Sequence, residues 1–351
     1  MSNGKRTLVI LTPGFPKDEA DTACLPFLQT FIRSLVKADA SLNIIVIAFE
    51  YPFFSKEYSW HNVTVIACNG RNRGKLHKLF LWRRIWKRIQ QLVQRNHVIG
   101  FFSLWLGECA LVGKYAASKT GIKHFTWILG QDAKENNHYV KRVHPAGKNL
   151  VAISDSIAER FRKNYQCTPG YVVPAGIDTG LFTDPLPAYT IDILGVGSLI
   201  PLKQFDVFIK MISLLSKKYP TLKAVIAGEG VDRNKLQSLI EQYRLQDNLQ
   251  LRGETAHKNV LELMQQSKIL LHPSSYEGFA AVCAEALYAG AKVVSFVQPM
   301  KQDFENWYVV KNEEEMFSCL DLLLDEKLRS GRRVLTYSSD RSAKEILALY
   351  K

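Results

Sequence analysis

The sequence lacks the features that mark membrane-spanning and secreted proteins. No stretch reaches the roughly 18 consecutive apolar residues of a transmembrane helix, because the longest candidate, 98–113, is broken by glycines and a glutamate. The first apolar run, 7–12, is too short for the core of a signal peptide and is closed by Pro13. We therefore expect a cytoplasmic protein, and we interpret this first run as a buried strand.

Paired cysteines and clustered carboxylates are missing too. The six cysteines lie far apart, and no CxxC spacing indicates a zinc site or a redox motif. No group of acidic residues indicates a metal site either. Buried free thiols in a reducing compartment explain the cysteines most simply, and these residues are Cys24, Cys68, Cys109, Cys167, Cys283 and Cys319.

Acidic residues are absent from one long segment of a basic chain. The 351 residues carry a net charge of +13, and the stretch from Gly70 to His97 holds nine Lys or Arg and no Asp or Glu. No recognisable reader element accompanies these charges, so we expect no nucleic-acid partner. Within 76–95, helical spacing places basic residues opposite an apolar face that consists of Leu79, Trp82, Ile85, Trp86, Ile89, Leu92 and Val93.

That pattern leaves two interpretations open for the segment 76–95. A basic amphipathic helix with tryptophan on its apolar face can lie on an anionic membrane surface. A helix that packs its apolar face into the core and leaves a solvated basic face produces the same pattern.

Apolar runs alternate with helical patterns along the chain, as in open, doubly wound α/β sheets. Ligands of such sheets bind at the carboxyl ends of the strands, where Gly14 follows the first strand. Gly14 either belongs to a ligand-binding loop or is present only because the turn needs glycine. The strands expected in the first half are 7–11, 43–49, 63–67, 99–105, 124–129 and 149–154, the last being its final strand.

The stretch from His272 to Gly290, HPSSYEGFAAVCAEALYAG, carries two glutamates eight positions apart. Turn-forming residues place Glu277 on a loop, and the apolar run that follows places Glu285 in the second turn of a helix. Eight residues span about 12 Å of helix, which suits hydrogen bonds to opposite ends of one extended ligand. Free N–H groups at the helix start offer a phosphate site. The alternative is two unrelated surface glutamates.

A second candidate site follows the strand 191–196. Gly197, Ser198 and Lys203 lie in a loop between this strand and a helix. Backbone donors together with one mobile cation suit a diphosphate group, although a lysine in a loop is more often simply solvated.

These blocks together resemble the retaining family 4 glycosyltransferases and their E-x7-E motif. The motif stands here as Pro273, Ser274, Glu277, Gly278, Phe279, Glu285, Ala286 and Gly290. Further matching blocks are GVGSLIPLKQFD (195–206), AVIAGEG (224–230), and VAISDSIAERF with VVPAGIDTGLF between 151 and 182. The resemblance implies the GT-B fold, in which two doubly wound, Rossmann-like domains face each other across a cleft. The acceptor-binding domain would be 1–180, with the segment 342–351 crossing back to it, and the nucleotide-sugar domain 181–341.

The implied activity is metal-independent hexosyl transfer with retention of configuration, without a cofactor. The donor would be a nucleotide-diphosphate sugar. The acceptor would be a glycan or a lipid-linked glycan in bacterial cell-surface polysaccharide synthesis, which suits peripheral attachment to the inner face of the plasma membrane. A GT-B epimerase or phosphorylase, or a non-catalytic nucleotide-sugar-binding protein, remains the alternative.

The resemblance also assigns roles to residues. Glu277 would hold the donor sugar as a catalytic residue, Glu285 the ribose, and Lys203 the diphosphate. Asp132, following a strand, would reach substrate hydroxyls, or it caps a helix instead. The remaining ligand-binding candidates would offer backbone donors or close approach, and they are Gly14, Gly197, Ser198, Gly228, Arg252, Gly278, Phe279, Ala280, Ala281 and Val282.

Two positions depart from the family pattern. Leu129 stands where a histidine is common, and Ser198 stands where an arginine is common. The missing cation of the phosphate site would be replaced by Lys292, by Arg252 or by a backbone donor, and the sequence does not choose among them.

Overall fold

The computed structural model describes residues 5–22, 24–325 and 332–351. The chain forms two compact units. The N unit comprises Met1–Gly176 together with Ser339–Lys351, and the C unit comprises Ile177–Ser338. The division therefore falls four residues before the predicted one, and the returning segment begins three residues earlier than 342.

The N unit contains an eight-stranded sheet in the order β3-β4-β2-β1-β5-β6-β7-β8. All neighbouring strands are parallel except β3 and β4. The central strand is the apolar run of the amino terminus, whose residues 8–11 are fully buried, as expected for a strand covered on both faces. The strands are β1 (Arg6–Gly14), β2 (Asn43–Tyr51), β3 (Ser55–Trp60), β4 (Val63–Cys68), β5 (His97–Leu104), β6 (His124–Ile128), β7 (Leu150–Ala152) and β8 (Tyr171–Val172).

Two of these strands were not predicted. β3 pairs with β4 as an antiparallel hairpin, and its residues are mostly polar and exposed, so it lacks the apolar run by which buried strands are recognised. The expectation that 149–154 is the last strand of the first half is wrong, because β8 adds to β7 through two residue pairs. A two-residue strand is too short to leave a periodic signal.

Helices cover both faces of the N-unit sheet. On one face, Phe31 packs against the rings of Phe102 and Trp127. On the other face, Ile85, Ile89 and Cys109 join the side chains of β1, β2 and β5 in one apolar cluster. The helices are α1 (Pro26–Ala38), α2 (Lys75–Arg95), α3 (Glu108–Thr120), α4 (His138–Val143) and α5 (Asp155–Tyr165).

The apolar face of helix α2 is largely covered. Trp82, Trp86, Leu92 and Val93 pack against the N-unit core, so these side chains are not free to enter a membrane, while attachment of the segment 76–95 to an anionic surface stays a prediction. The apolar stripe was read correctly as one face, but the neighbouring sheet covers it. Across the part of the chain that the structure describes, no helix combines the length and apolar character needed to cross a membrane.

The C unit contains a six-stranded, fully parallel sheet in the order β11-β10-β9-β12-β13-β14. Successive residues of its central strands point to opposite faces, so that Ile193 and Leu194 enter two different apolar clusters. The strands are β9 (Ile191–Val196), β10 (Ala224–Ala227), β11 (Leu249–Gly253), β12 (Ser267–His272), β13 (Lys292–Ser295) and β14 (Trp307–Val309).

The two apolar clusters are completed by helices on either side of the C-unit sheet. Phe208, Ile240 and Leu320 lie in one cluster, and Leu263 and Leu287 lie in the other. Both units therefore have the doubly wound α/β architecture that the sequence predicted. The helices are α6 (Phe205–Leu215), α7 (Arg233–Gln242), α8 (His257–Gln265), α9 (Ala281–Tyr288) and α10 (Glu313–Asp325).

Each sheet has a point at which the strand order reverses, between β1 and β5 in the N unit and between β9 and β12 in the C unit. Connections after the two strands leave in opposite directions there, which opens a crevice at the carboxyl edge. In the C unit the loops that follow β9 and β12 contain Lys203 and Glu277, so the topology brings the two predicted loops to one place.

The last helix, α11 (Ser339–Ala348), belongs to the N unit. Its end is fixed by Tyr350, whose hydroxyl donates to the carbonyl of Phe101 at 2.7 Å and whose ring packs edge-on against Phe125. A Cβ at Gly100 would lie 2.0 Å from the Tyr350 ring. Glycine is therefore required at position 100 for this docking.

We expect graded losses of stability from substitutions at Tyr350. Tyr350→Phe removes one buried hydrogen bond and should cost about 1 kcal/mol, whereas Tyr350→Ala also removes the ring and should cost about 3–5 kcal/mol. Urea unfolding measures both. Tyr243→Ala, at a tyrosine that is 41% exposed, is the matched control. Equal stability of Tyr350→Ala and the parent protein would show that the terminal segment does not depend on this contact.

Candidate functional site

The structure gathers three ionisable side chains at the carboxyl edge of the C-unit sheet. Glu277 lies in the loop between β12 and α9, as predicted. Its Oε1 forms an ion pair with Lys203 and lies 2.7 Å from Nε2 of His272. The three side chains are buried or nearly so, since His272 is 2% exposed and Glu277 12%. Lys203 and Glu277, which the resemblance assigned to the diphosphate and to the donor sugar, are therefore direct neighbours.

Backbone contacts hold the two loops together. The N–H of Ser275 donates to the carbonyl of Leu202 at 3.1 Å, and the hydroxyl of Ser274 donates to the same carbonyl at 3.3 Å. The turn that carries Lys203 is thus fastened to the loop that carries Glu277. These hydrogen bonds of Ser274 and Ser275 therefore fix the separation of the Lys203 and Glu277 side chains.

The charges around Glu277 keep it ionised. Burial by itself raises the pKa of Glu277, but the hydrogen bond and charge of His272, together with the Lys203 ammonium, outweigh this effect and lower the pKa to about 2. Both contacts converge on Oε1. Among the described residues none donates a hydrogen bond to Oε2, so this oxygen can accept hydrogen bonds from a ligand.

The helix α9 begins directly after this cluster. Its N-cap, Ala280, has φ 57° and ψ 51°, a left-handed conformation that costs an alanine roughly 1–2 kcal/mol. Within the described chain, the backbone N–H groups of Ala281 and Val282 donate to no other group. The buried Cys283 and Ala284 anchor the first turn, so these donors are presented from a fixed position, as an anion site requires.

Glu285 lies in the second turn of α9, as the sequence predicted. Its Oε1 is 2.8 Å from Nε2 of His257, the first residue of α8. Sequence reasoning missed this partner, because the two residues are 28 positions apart and nothing in their spacing connects them. His272 was missed too, although its position at the end of β12, five residues before Glu277, offered a signal.

Two of the predicted glycines serve the strand ends. Gly228 has φ 155°, and a Cβ there would lie 1.8 Å from the carbonyl oxygen of Gly197. The backbones after β9 and β10 therefore approach each other more closely than a side chain permits. Gly14 differs, since a Cβ there would meet only ordinary contacts and its φ is not positive. Turn geometry therefore does not require glycine at position 14, and its role at a ligand stays a prediction.

The candidates for a second cation are now distinguished by topology. Lys292 is the first residue of β13, so it lies at the amino edge of the sheet and does not replace the arginine expected at Ser198. Arg252 lies near the carboxyl end of β11 and is exposed, as is Ser198. Of the proposed substitutes, Arg252 and the backbone donors of α9 remain.

The N unit has its own concave region, a cavity of about 630 Å³ at the carboxyl edge of its sheet. Its lining includes Pro13, Glu50, Trp105, Glu108 and Asp132. The volume is in the range of small-molecule sites. Trp105 adopts φ 64°, and so bulky a residue with positive φ marks a strained position of the kind that clusters at functional sites.

Asp132 takes the capping role that was the alternative to substrate binding. Its Oδ2 accepts the N–H of Leu129 at 2.8 Å, and the side chain is buried. Burial raises the pKa of Asp132 to about 7, against the opposing effect of hydrogen bonds from the backbone at Leu129 and Leu106. Leu129 itself is buried and offers no acid–base group.

The cysteines are free, and none joins a candidate metal cluster. Cys68, Cys109 and Cys283 are buried and the other three are partly buried; burial raises the pKa of the Cys283 thiol well above its usual value. The described part of the chain contains no group of three or more His, Cys, Asp or Glu that could hold a metal ion.

Comparison with known families assigns both units. The model of Glycosyltransferase Family 4 matches residues 27–181, and that of Glycosyl transferases group 1 matches residues 185–316. The chain carries the two domains of a GT-B glycosyltransferase. The cluster of Lys203, His272 and Glu277 lies in the group 1 domain, and the cavity at Trp105 lies in the family 4 domain.

Curated relatives match this chain over part of their length. One subunit of the human phosphatidylinositol N-acetylglucosaminyltransferase is 36% identical over 126 residues, which is 35% of this chain and 26% of the relative. An uncharacterised glycosyltransferase of Haemophilus influenzae is 30% identical over 169 residues, which is 45% of this chain and 47% of the relative. The chain thus spans about a quarter to a half of these relatives.

Solved structures show the same fold over nearly the whole chain. A glycosyltransferase from Rickettsia africae superposes with a TM-score of 0.73 at 14% identity, covering 99% of this chain and 98% of that one. HepE of Anabaena, in complex with UDP and glucose, superposes with a TM-score of 0.65 at 15% identity, covering 97% and 94%. At such identities the likeness concerns the fold alone.

The ionised state of Glu277 predicts a pH-dependent contribution to stability. The folded pKa lies below the usual value of 4.5, so this contribution is fully present above pH 4.5 and is lost as the pH falls toward 2. Glu277→Gln should therefore lower the free energy of unfolding by about 3 kcal/mol at pH 7, and by progressively less below pH 4.5.

Urea unfolding of the parent and the variant at several pH values measures this difference. Glu313→Gln is the matched control, because the ion pair of Glu313 with Lys210 is exposed. The free energy of unfolding of this variant should equal that of the parent at each pH. A Glu277→Gln variant as stable as the parent at pH 7 would contradict the buried ion pair.

Proposed function

We propose that the protein transfers a hexosyl group from a nucleotide-diphosphate sugar to a glycan or lipid-linked acceptor, with retention of anomeric configuration and without a metal. The proposal rests chiefly on one observation. Lys203 and Glu277 meet at the start of α9, where Ala281 and Val282 present backbone donors and Glu285 stands eight residues beyond Glu277. A cation, an ionised carboxylate and an anion-binding helix end are the groups that a nucleotide-diphosphate sugar requires.

The donor is proposed to be a UDP-sugar. The HepE structure contains UDP and glucose, and a structure of S. aureus TarM contains UDP with alpha-GlcNAc-glycerol. The human relative is named as part of an N-acetylglucosaminyltransferase. UDP-glucose and UDP-N-acetylglucosamine are therefore the first donors to test.

Each residue of the C-unit cluster then has a physical task. The departing diphosphate gains negative charge, which the Lys203 ammonium and the N–H groups of Ala281 and Val282 stabilise. The transferred sugar gains positive charge, which the carboxylate of Glu277 stabilises. Its Oε2 accepts hydrogen bonds from the hydroxyl groups of the sugar. His272 acts as a positioning residue, because its contact with Oε1 fixes the orientation of that carboxylate.

Glu285 is proposed to accept hydrogen bonds from the ribose hydroxyls. His257 contacts Oε1 of this carboxylate, so the other oxygen can serve a diol. The side chain of Glu285 is 18% exposed, which is consistent with access from the crevice at the carboxyl edge.

The acceptor is proposed to occupy the N-unit cavity. Trp105 offers an aromatic face on which a sugar ring can stack, and the neighbouring Glu50 offers a carboxylate as acceptor for hydroxyl groups. Acidic residues at this cavity favour a neutral or cationic saccharide over an anionic one.

A non-catalytic protein that binds nucleotide sugars is the second candidate. It is favoured by Leu129, a buried apolar residue at the position where a histidine is common in the family. Incubation with UDP-sugars and glycan or lipid-linked acceptors separates the two. Release of UDP that depends on the acceptor, with an α-linked product from an α-linked donor, supports the transferase. Tight binding of UDP without turnover over a broad acceptor set supports the second candidate.

We expect Glu285→Gln to weaken the binding of UDP at least tenfold. The substitution keeps the shape of the side chain but removes a charge-assisted hydrogen bond worth about 1.5–3 kcal/mol. Titration calorimetry with UDP measures the effect. Glu262→Gln, on the neighbouring α8, is a control expected to bind as the parent does. Equal affinities for Glu285→Gln and the parent would refute the ribose assignment.

We expect Lys203→Ala to distinguish phosphate from nucleoside. The lost ammonium faces the diphosphate, so the affinity for UDP should fall much more than the affinity for uridine. Competition between the two ligands in the same calorimetric assay gives the ratio directly. Lys210→Ala, which removes an exposed lysine of the following helix α6, serves as the control. If UDP and uridine weaken equally, Lys203 supports the loop alone and the phosphate site lies elsewhere.

A further inference from the structure

The first turns of α2 expose an apolar patch that the core does not use. Leu76, Leu79 and Phe80 are 74%, 53% and 70% exposed. Their positions i, i+3 and i+4 make them neighbours on one helix surface. Single exposed apolar residues are ordinary, whereas adjacent ones mark an interaction surface.

Cations surround this patch. A cavity of about 360 Å³ beside it is lined by Arg73, His77, Lys78, Phe80 and Arg84. Lys78 is held by Glu108, while no carboxylate in the described chain forms an ion pair with Arg73 or Arg84. A concave surface with several cationic side chains and no acid of its own is suited to a phosphate group.

The cationic surface continues along the helix. Arg83 lies three residues after Phe80, and Lys87 lies four residues after Arg83, so both continue the face of the exposed patch. Both are exposed, and among the described residues neither has a carboxylate partner. The acids that pair with other cations of α2 belong to other elements, since Glu57 pairs with Arg88 and Glu108 pairs with Lys78.

The tryptophans do not contribute to this surface. Trp82 and Trp86 pack against the core, and Trp82 donates to Glu108 at 3.0 Å. The available apolar area is therefore confined to the start of α2, so that a partner meets an apolar tip surrounded by positive charge. That combination matches the boundary between the anionic headgroups and the acyl chains of a lipid bilayer.

We propose that the start of α2 docks on an anionic phospholipid membrane. Leu76, Leu79 and Phe80 enter the region between headgroups and acyl chains, and Arg73, with its neighbouring cations, binds the lipid phosphates. Arg83 and Lys87 lie over the membrane surface. The proposal does not depend on the proposed reaction, because it concerns a surface of the N unit and needs no bound donor.

Co-sedimentation with vesicles tests this surface. The full-length protein is mixed at low salt with vesicles of phosphatidylcholine alone or of phosphatidylcholine with phosphatidylglycerol. We expect most of the protein to sediment with the phosphatidylglycerol vesicles and little with the neutral ones. Binding should weaken at high salt, since exposed charges are screened.

Two triple variants separate the apolar tip from the charges. Leu76→Ser, Leu79→Ser and Phe80→Ser should reduce the bound fraction at least tenfold at a fixed lipid concentration. Arg73→Ser, Arg83→Ser and Lys87→Ser should do the same and should remove the preference for phosphatidylglycerol. Matched controls are Val231→Ser with Leu322→Ser, at exposed apolar residues of the C unit, and Lys163→Ser with Lys217→Ser and Lys344→Ser, at exposed lysines.

The outcomes decide the proposal in either direction. Thermal unfolding of each variant close to that of the parent shows that lost binding is a surface effect. No binding of the parent to anionic vesicles at low salt overturns the proposal, as does a charge control that is as defective as the α2 variant. If the Leu76, Leu79 and Phe80 variant binds as fully as the parent, the attraction is only unspecific charge attraction, and the proposal is overturned as well. A protein partner instead of a lipid would be indicated if purified vesicles fail while membranes containing their proteins bind.

Discussion

The contact between Glu277 and its two partners is the interaction on which the C unit's site depends. A carboxylate with little access to water is stable only when opposite charge and hydrogen bonds replace its hydration, and Lys203 and His272 provide both. Lys203 lies after β9, whereas His272 and Glu277 belong to β12 and the loop that follows it, so the ion pair also fixes where the loops after β9 and β12 lie. The donors at the start of α9 acquire a defined position in consequence.

The N unit presents a contrast, because its notable residues are strained or exposed instead of paired. Trp105 holds a positive φ beside a cavity, and Leu76, Leu79 and Phe80 remain exposed at the start of α2. Neither feature contributes to core packing. Strained or exposed residues that lower the stability of the fold are expected where binding to a ligand or to a surface offsets their free-energy cost.

Much of the fold was predictable, because buried parallel strands are continuous apolar runs and the sequence contains them in plain form. β1 and β12 are examples, and the loop position of Glu277 and the helical position of Glu285 followed from turn and helix formers nearby. β3 and β8 escaped prediction, since an exposed polar strand and a two-residue strand leave no periodic signal. The helix α2 was placed correctly, but the sequence could not say what covers its apolar face.

The sequence by itself determined the strands and helices that carry a long apolar or periodic pattern, and it supplied a motif with chemical character at the end of β12. Only the tertiary structure decided the partners: His257 for Glu285, His272 and Lys203 for Glu277, Leu129 for Asp132, and the core for Trp82 and Trp86. The physical reason is that local structure follows from neighbours along the chain. Ion pairs and burial depend instead on residues that the strand order brings together, and spacing along the sequence carries no record of them.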